Sequence, residues 1–178
     1  RGDEPLTESS PPGEGFLTDV VLAWEASAQP ATDAGASVAL ARTGIVLARE
    51  GGAMERLLQL ARFGLAGPLG SGKQFWPWIT MVDEVGALLH LLDRHDITGP
   101  VNLAAPEPAR QREIVSAIGS ALHRPAFLPA PGFALKIILG EFGNDILGSQ
   151  RVVGEVLATS GYEFTHPGLD GAARWLVT

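Results

Sequence analysis

Residues 36–47, ASVALARTGIVL, carry aliphatic and β-branched side chains at most positions, without the strict polar alternation of a strand that has one wet face. Such a run predicts a strand buried on both sides, as in a parallel sheet covered by helices. An α/β architecture is therefore expected. Gly44 interrupts the run, and a glycine there marks either close approach of a ligand or another backbone, or a bulge. The sequence leaves both readings open.

Helical patterns alternate with short strands around this run. Residues 16–28 (FLTDVVLAWEASA) predict a helix with a broad apolar face, closed by Pro30. A second helix is expected over 54–63, and a third over 84–92 with Asp83 as its N-cap. Gly99-Pro100 turns the chain into a short strand at 101–104, and a helix follows at 110–122. The alternation supports the α/β assignment. The last third is read as a helical cap with helices at 133–139, at 146–158 around Arg151, and at 169–176. The expected division is residues 1–127 and residues 128–178.

The stretch 67–84, GPLGSGKQFWPWITMVDE, is the segment most suited to touching a ligand. Gly67, Gly70 and Gly72 permit positive φ or a close approach, and Pro68 fixes a turn. The apolar run 75–82 is broken by Pro77, which suits an edge strand. Gly67, Gly72 and Lys73 satisfy the phosphate-binding pattern G-x-x-x-x-G-K, but Gln74 stands where a magnesium-binding hydroxyl is required. Helix, loop, strand is also the reverse of the order such a loop needs. We read it as a glycine-rich connector.

Bulk properties narrow the function. The chain has 178 residues, 46% hydrophobic and 19% charged, enough for one ordinary globular domain or a lobe of a larger protein. No apolar run reaches the ~18 residues that span a bilayer, so no membrane role is expected. A formal charge of -7, without a Lys/Arg cluster, argues against nucleic acid. Cysteine is absent, which removes disulfides and thiolate chemistry. The four histidines lack metal-ligand spacing, and no metal site is expected. The chain starts at Arg1 with no methionine or leader, which suggests a piece of a cytoplasmic protein. Its first fifteen residues resemble a surface loop.

Candidate ligand groups are few. Trp76 and Trp78, two apart on a strand, share a face that stacks on a planar or sugar ring with Gln74 on the same side, or belongs to the core. Arg151 sits among apolar residues and needs an anionic partner if buried; otherwise it is solvated. Asp83 and Glu84 form an acid pair or simply start a helix. Tyr162 is the one phenol, and Ser71 reads as a turn residue.

LTESSPPGEGF, WEASA, ARTGIVLAREGGAM, GPLGSGKQFWPWITMVDE, GPVNLAAPEP, LGEFGNDILGSQRVV and GYEF together resemble the carboxyl-terminal half of the epimerase-like extended short-chain dehydrogenase/reductases. The likeness covers nearly the whole chain, and from about residue 128 it is to that family's small C-terminal domain of unknown function. It implies part of a Rossmann-type fold with a helical C-terminal cap, and an NAD(P) cofactor, NADP being the expected form. Cofactor-contacting backbone carries over to Thr43, Gly44, Ile45 and Val46. Gln74, Trp76 and Trp78 become substrate-side candidates, joined by Arg151, for an unknown small molecule. Two departures matter. The glycine-rich turn that receives the pyrophosphate is absent, so the cofactor is expected only together with a missing N-terminal half. The family's catalytic Tyr-x-x-x-Lys falls on Phe16/Val20 or, one register on, Leu17/Val21, all apolar. The usual proton relay cannot run through such side chains. A non-catalytic nucleotide-sensing or scaffold module is the alternative, and a homodimer through the helical tail is a third reading.

Overall fold

The computed structural model describes residues 1–130 and 146–178. The helix expected at 133–139 lies outside them. The elements run β1 (Pro5–Leu6), α1 (Phe16–Ser27), α2 (Gln29–Asp33), β2 (Ala39–Thr43), β3 (Ile45–Leu47) and α3 (Gly52–Arg62). They continue with β4 (Phe75–Trp76), β5 (Trp78–Thr80), α4 (Met81–Asp93), β6 (Gly99–Leu103), β7 (Ala109–Arg110) and α5 (Gln111–Ala121). After residue 145 come β8 (Arg151–Val152), α6 (Glu155–Thr159) and α7 (Leu169–Val177).

The apolar run at 36–47 forms two strands that change partner at Gly44. β2 lies parallel to β6, Ala39 opposite Gly99 through Thr43 opposite Leu103. β3 lies parallel to β5, Ile45 opposite Trp78. The Gly44 amide donates to the Leu103 carbonyl at 3.0 Å, and the next amide, Ile45, donates to the Pro77 carbonyl. A Cβ on Gly44 would stand 2.3 Å from that Pro77 oxygen, so only glycine lets the two strand ends meet there. Pro77 likewise splits 75–80 into β4, antiparallel to β7, and β5, whose three residues are all buried. The single edge strand expected there is two strands, and the second is fully buried.

Two apolar clusters hold the fold. One joins α3, α5 and α7 through Leu58, Ala61, Ile114, Val115, Ile118 and Leu176. The other joins β5, β6, α4 and α6 through Ile79, Val101, Leu103, Ala87 and Leu157. Each fully buried large aliphatic side chain contributes about 1.5–3 kcal/mol relative to exposure.

Some local assignments differ from expectation. Helix α4 starts at Met81, and its N-cap is Thr80, whose Oγ1 accepts from the Asp83 amide at 3.2 Å. Asp83 lies one turn inside and answers with its carboxylate on the Thr80 hydroxyl at 2.7 Å. Threonine wins because the extended φ and ψ of a cap belong to residue 80, at the end of β5. Arg151 lies on a strand, not a helix: β8 pairs in parallel with β1, so the proline-rich start of the chain is anchored. Helix α1 forms where expected, yet none of its residues is buried; Phe16 is 78% exposed and Trp24 71%. The adjoining strand β2 has no partner on its other edge among the described residues.

Candidate functional site

Two cavities meet at the Gly44 crossover. The first, about 360 Å³, lies between α1 and the end of β2, with Leu17, Thr18, Val21, Thr43, Gly44 and Pro77 in its walls. The second, about 440 Å³, lies between α3 and the 69–77 segment, walled by Ile45, Met54, Leu57, Leu69, Phe75 and Trp76. Thr43, Gly44, Pro77 and Gln150 line both. The junction therefore exists because the strand run changes partner at Gly44.

Of the expected cofactor-side residues, Thr43 and Gly44 sit at the junction, and Ile45 and Val46 line the second cavity. The Gly44 and Ile45 amides are spent on Leu103 and Pro77, so these residues present surface and side chains more than free donors. Arg42 and Glu25 form an ion pair of 2.6 Å beside the first cavity, and the guanidinium holds the Glu25 carboxyl below its ordinary range. The Thr43 hydroxyl donates to Glu84 at 2.8 Å. Glu84 is only 7% exposed, its Oε2 is buried without a partner among the described residues, and burial pushes its pKa up. A buried carboxyl that resists ionisation thus accepts the Thr43 hydroxyl.

The substrate-side candidates part company. Trp76 lines the second cavity, with its indole N–H committed to the Ile146 carbonyl at 3.0 Å. Trp78 is 1% exposed, lies in the core and donates to the Glu107 carbonyl. Gln74 is buried and bonds the Leu69 carbonyl; it borders a separate polar cleft with Lys73, Arg110 and Asp3. Arg151 lies over the Phe75 ring at 5.5 Å, donates to the Asp3 carbonyl, and lines neither cavity. The glycine loop itself packs on 128–130: a Cβ at Gly67 would meet the Leu128 carbonyl at 2.1 Å.

Leu17 and Val21 face the first cavity, four residues apart on one side of α1, whereas Phe16 does not line it. Two apolar side chains therefore border the junction. Tyr162 lines neither cavity. Its hydroxyl donates to the Asp83 carbonyl at 3.0 Å, and burial, with the Asp83 charge beside it, lifts its pKa to about 12. Asp83 is a hub: its carboxylate accepts from Thr80, Thr165 and His166. Sequence reading missed Met54, Leu57 and Leu69 as cavity walls. Met54 and Leu57, three apart on α3, follow an ordinary helix-face pattern and gave no separate signal. Among the described residues no group of acidic, histidine or cysteine side chains has the arrangement of a metal site, and no helix is long and apolar enough to cross a membrane.

Residues 130–176 match a domain of unknown function, DUF1731. An epimerase family protein of Mycobacterium leprae is 38% identical over 177 residues, which is 99% of this chain and 58% of that protein. The human epimerase family protein SDR39U1 is 37% identical over 172 residues, 96% of this chain and 58% of its own. A crystal structure of human SDR39U1 (isoform 2) with NADPH superposes with a TM-score of 0.92 at 35% identity, covering 98% of this chain and 59% of that one. A UDP-N-acetylglucosamine 4-epimerase from Bacillus cereus shares the fold at a TM-score of 0.76 and 13% identity. The fold is thus α/β, of the Rossmann-like epimerase type, and the chain spans less than two thirds of the relatives it matches.

Proposed function

We propose that this chain, so similar over its length to epimerase family proteins, supplies the nicotinamide end and the substrate lobe of an NAD(P)-binding protein acting on a small molecule. The observation that carries this reading is the junction at Gly44, where one cavity bordered by α1 opens beside a second, apolar one. Nicotinamide is a flat ring with one amide, and apolar walls from Leu17 and Val21 beside Thr43 suit it. The group, when bound, supplies hydride chemistry. The residues here would hold the ring and shield it from water, with Thr43 oriented by its hydrogen bond to Glu84. In this reading the chain corresponds to the C-terminal part of a longer polypeptide, with 128–178 a small helical domain, and the remainder carries the adenosine end. NADPH is the form we expect, since the human relative was crystallised with it.

A second reading has an observation of its own. Leu17 and Val21 stand at the first cavity, and neither side chain gives or takes a proton. Tyr162 is bound to Asp83 elsewhere. A protein that keeps the pocket without the proton relay senses or carries the nucleotide without turning it over.

The test is a titration of the longer polypeptide, which holds both ends of the cofactor in this reading, with NADPH at millimolar concentration, followed through backbone amide resonances. Shifts at Thr43, Gly44 and Ile45, with Leu157 unmoved, are the expected result. Shifts confined to Lys73 and Arg110, or none at about 10 mM, a weak-binding ceiling of roughly 3 kcal/mol, would overturn the nicotinamide assignment. Turnover of a carbonyl compound by the longer polypeptide separates the enzyme from the sensor.

A further inference from the structure

The second cavity is walled almost wholly by carbon. Met54, Leu57 and Leu69 come from α3 and the loop after it, Phe75 and Trp76 from β4, and Ile45 from β3. The one indole donor among them is already used on Ile146. Among the described lining residues none carries a charge, and the polar side chains, Thr43 and Gln150, lie at the junction end.

Among the described residues, the cations beside the Phe75 wall are held elsewhere. Arg110 and Arg151 lie over the Phe75 ring at 4.3 and 5.5 Å, and neither lines the cavity. Arg110 is committed to the Asp3 carboxylate at 2.7 Å and to the Lys73 carbonyl. Recognition of a diphosphate needs guanidinium or ammonium groups aimed at its oxygens. An unpaired charge moved into apolar walls loses its hydration without compensation, whereas each buried CH₂ of a neutral ligand is favoured there.

We infer that this cavity takes a neutral, largely apolar molecule carrying one polar group, which points to Thr43 and Gln150 at the junction, and that it does not take a nucleoside diphosphate sugar. This rests on the proposed function, with the nicotinamide at the first cavity and the substrate in the second. It names a class of carbonyl or alcohol compound of ring size, bound by shape and carbon contact, with its polar group toward the nicotinamide end.

The two methionines make the test site-specific. Met54, 6% exposed, is in the cavity wall, and Met81, 42% exposed on α4, is outside it. The chain labelled with ¹³C at both methionine methyls is titrated separately with β-tetralone, a neutral bicyclic ketone, and with UDP-glucose. Saturable movement of the Met54 methyl alone by β-tetralone, and of neither methyl by UDP-glucose, is expected. Leu57→Gln should weaken the β-tetralone response at least tenfold; Leu69→Gln gives the same reading if the first variant does not fold. Saturable movement of Met54 by UDP-glucose, no response to β-tetralone, or an unweakened response in a folded variant overturns the inference. NADPH titrated into the longer polypeptide, labelled in the same way, keeps the two proposals apart. A junction that responds to NADPH while Met54 ignores β-tetralone sinks the substrate class alone, and the converse sinks the nicotinamide assignment alone.

Discussion

Gly44 and Glu84 show how single residues shape the junction. At Gly44 the sequence left ligand approach and backbone approach open, and the carbonyl of Pro77 occupies the space a side chain would need. Gly44→Ala drives a methyl group against backbone on a crossover held by two hydrogen bonds, so neither partner retreats cheaply. It should cost about 3 kcal/mol, the upper end for overpacking, read as a lower urea midpoint with unchanged slope. A loss under about 0.5 kcal/mol would mean the crossover relaxes freely. Glu84 makes the opposite kind of test. Burial raises its folded pKa above the ordinary 4.5, so the folded state prefers the proton. Its contribution to stability is whole below that ordinary value and is lost as pH rises through the folded pKa. Glu84→Gln has no proton to lose. The melting temperature of the variant should therefore match the native chain at low pH, exceed it increasingly as pH rises from the ordinary value through the folded pKa, and keep a constant lead above that. A constant difference across pH would show that Glu84 does not titrate there.

Helix α4 illustrates how an element is placed by contacts that its own sequence does not reveal. Its N-terminus is closed by Thr80 and Asp83 together, and the Asp83 carboxylate also receives the amides of Thr165 and His166 at 2.6 and 3.0 Å. One buried carboxylate thus joins α4 to the turn before α7. Asp83→Ala leaves three donors without their acceptor, the Thr80 hydroxyl fully buried and the Thr165 and His166 amides part-buried, and a buried group left so costs about 1–3 kcal/mol. A total loss near 3 kcal/mol is expected by urea unfolding, with Asp83→Asn recovering part of it. Equal losses in the two variants would mean that charge, not hydrogen bonding, does the holding. Helix α1 is the contrasting case. Its pattern predicted a helix correctly, but an apolar face says only that something must cover it. Among the described residues nothing buries Phe16 or Trp24.

For the whole molecule, the alternation of helical and extended patterns was enough to read α/β, and the aliphatic run at 36–47 with its glycine marked the strand ends that border both cavities. Helices 16–27, 52–62 and 111–121 were legible because each carries its own period and its own stop. Periodicity and punctuation are local properties, written within one or two turns of chain. The rest required distant segments to meet. That Trp76 lines a cavity while Trp78 fills the core depends on Pro77 sending β4 to β7 and β5 to β3. That Arg151 lies on a strand depends on pairing with residues nearly 150 positions earlier. That Leu17 and Val21, rather than Phe16, border the junction depends on how α1 rolls against β2. Local sequence determined which elements form and where the backbone needs glycine. Only tertiary structure decided which side chains share a cavity, because register and packing are set by contacts between residues far apart in the chain.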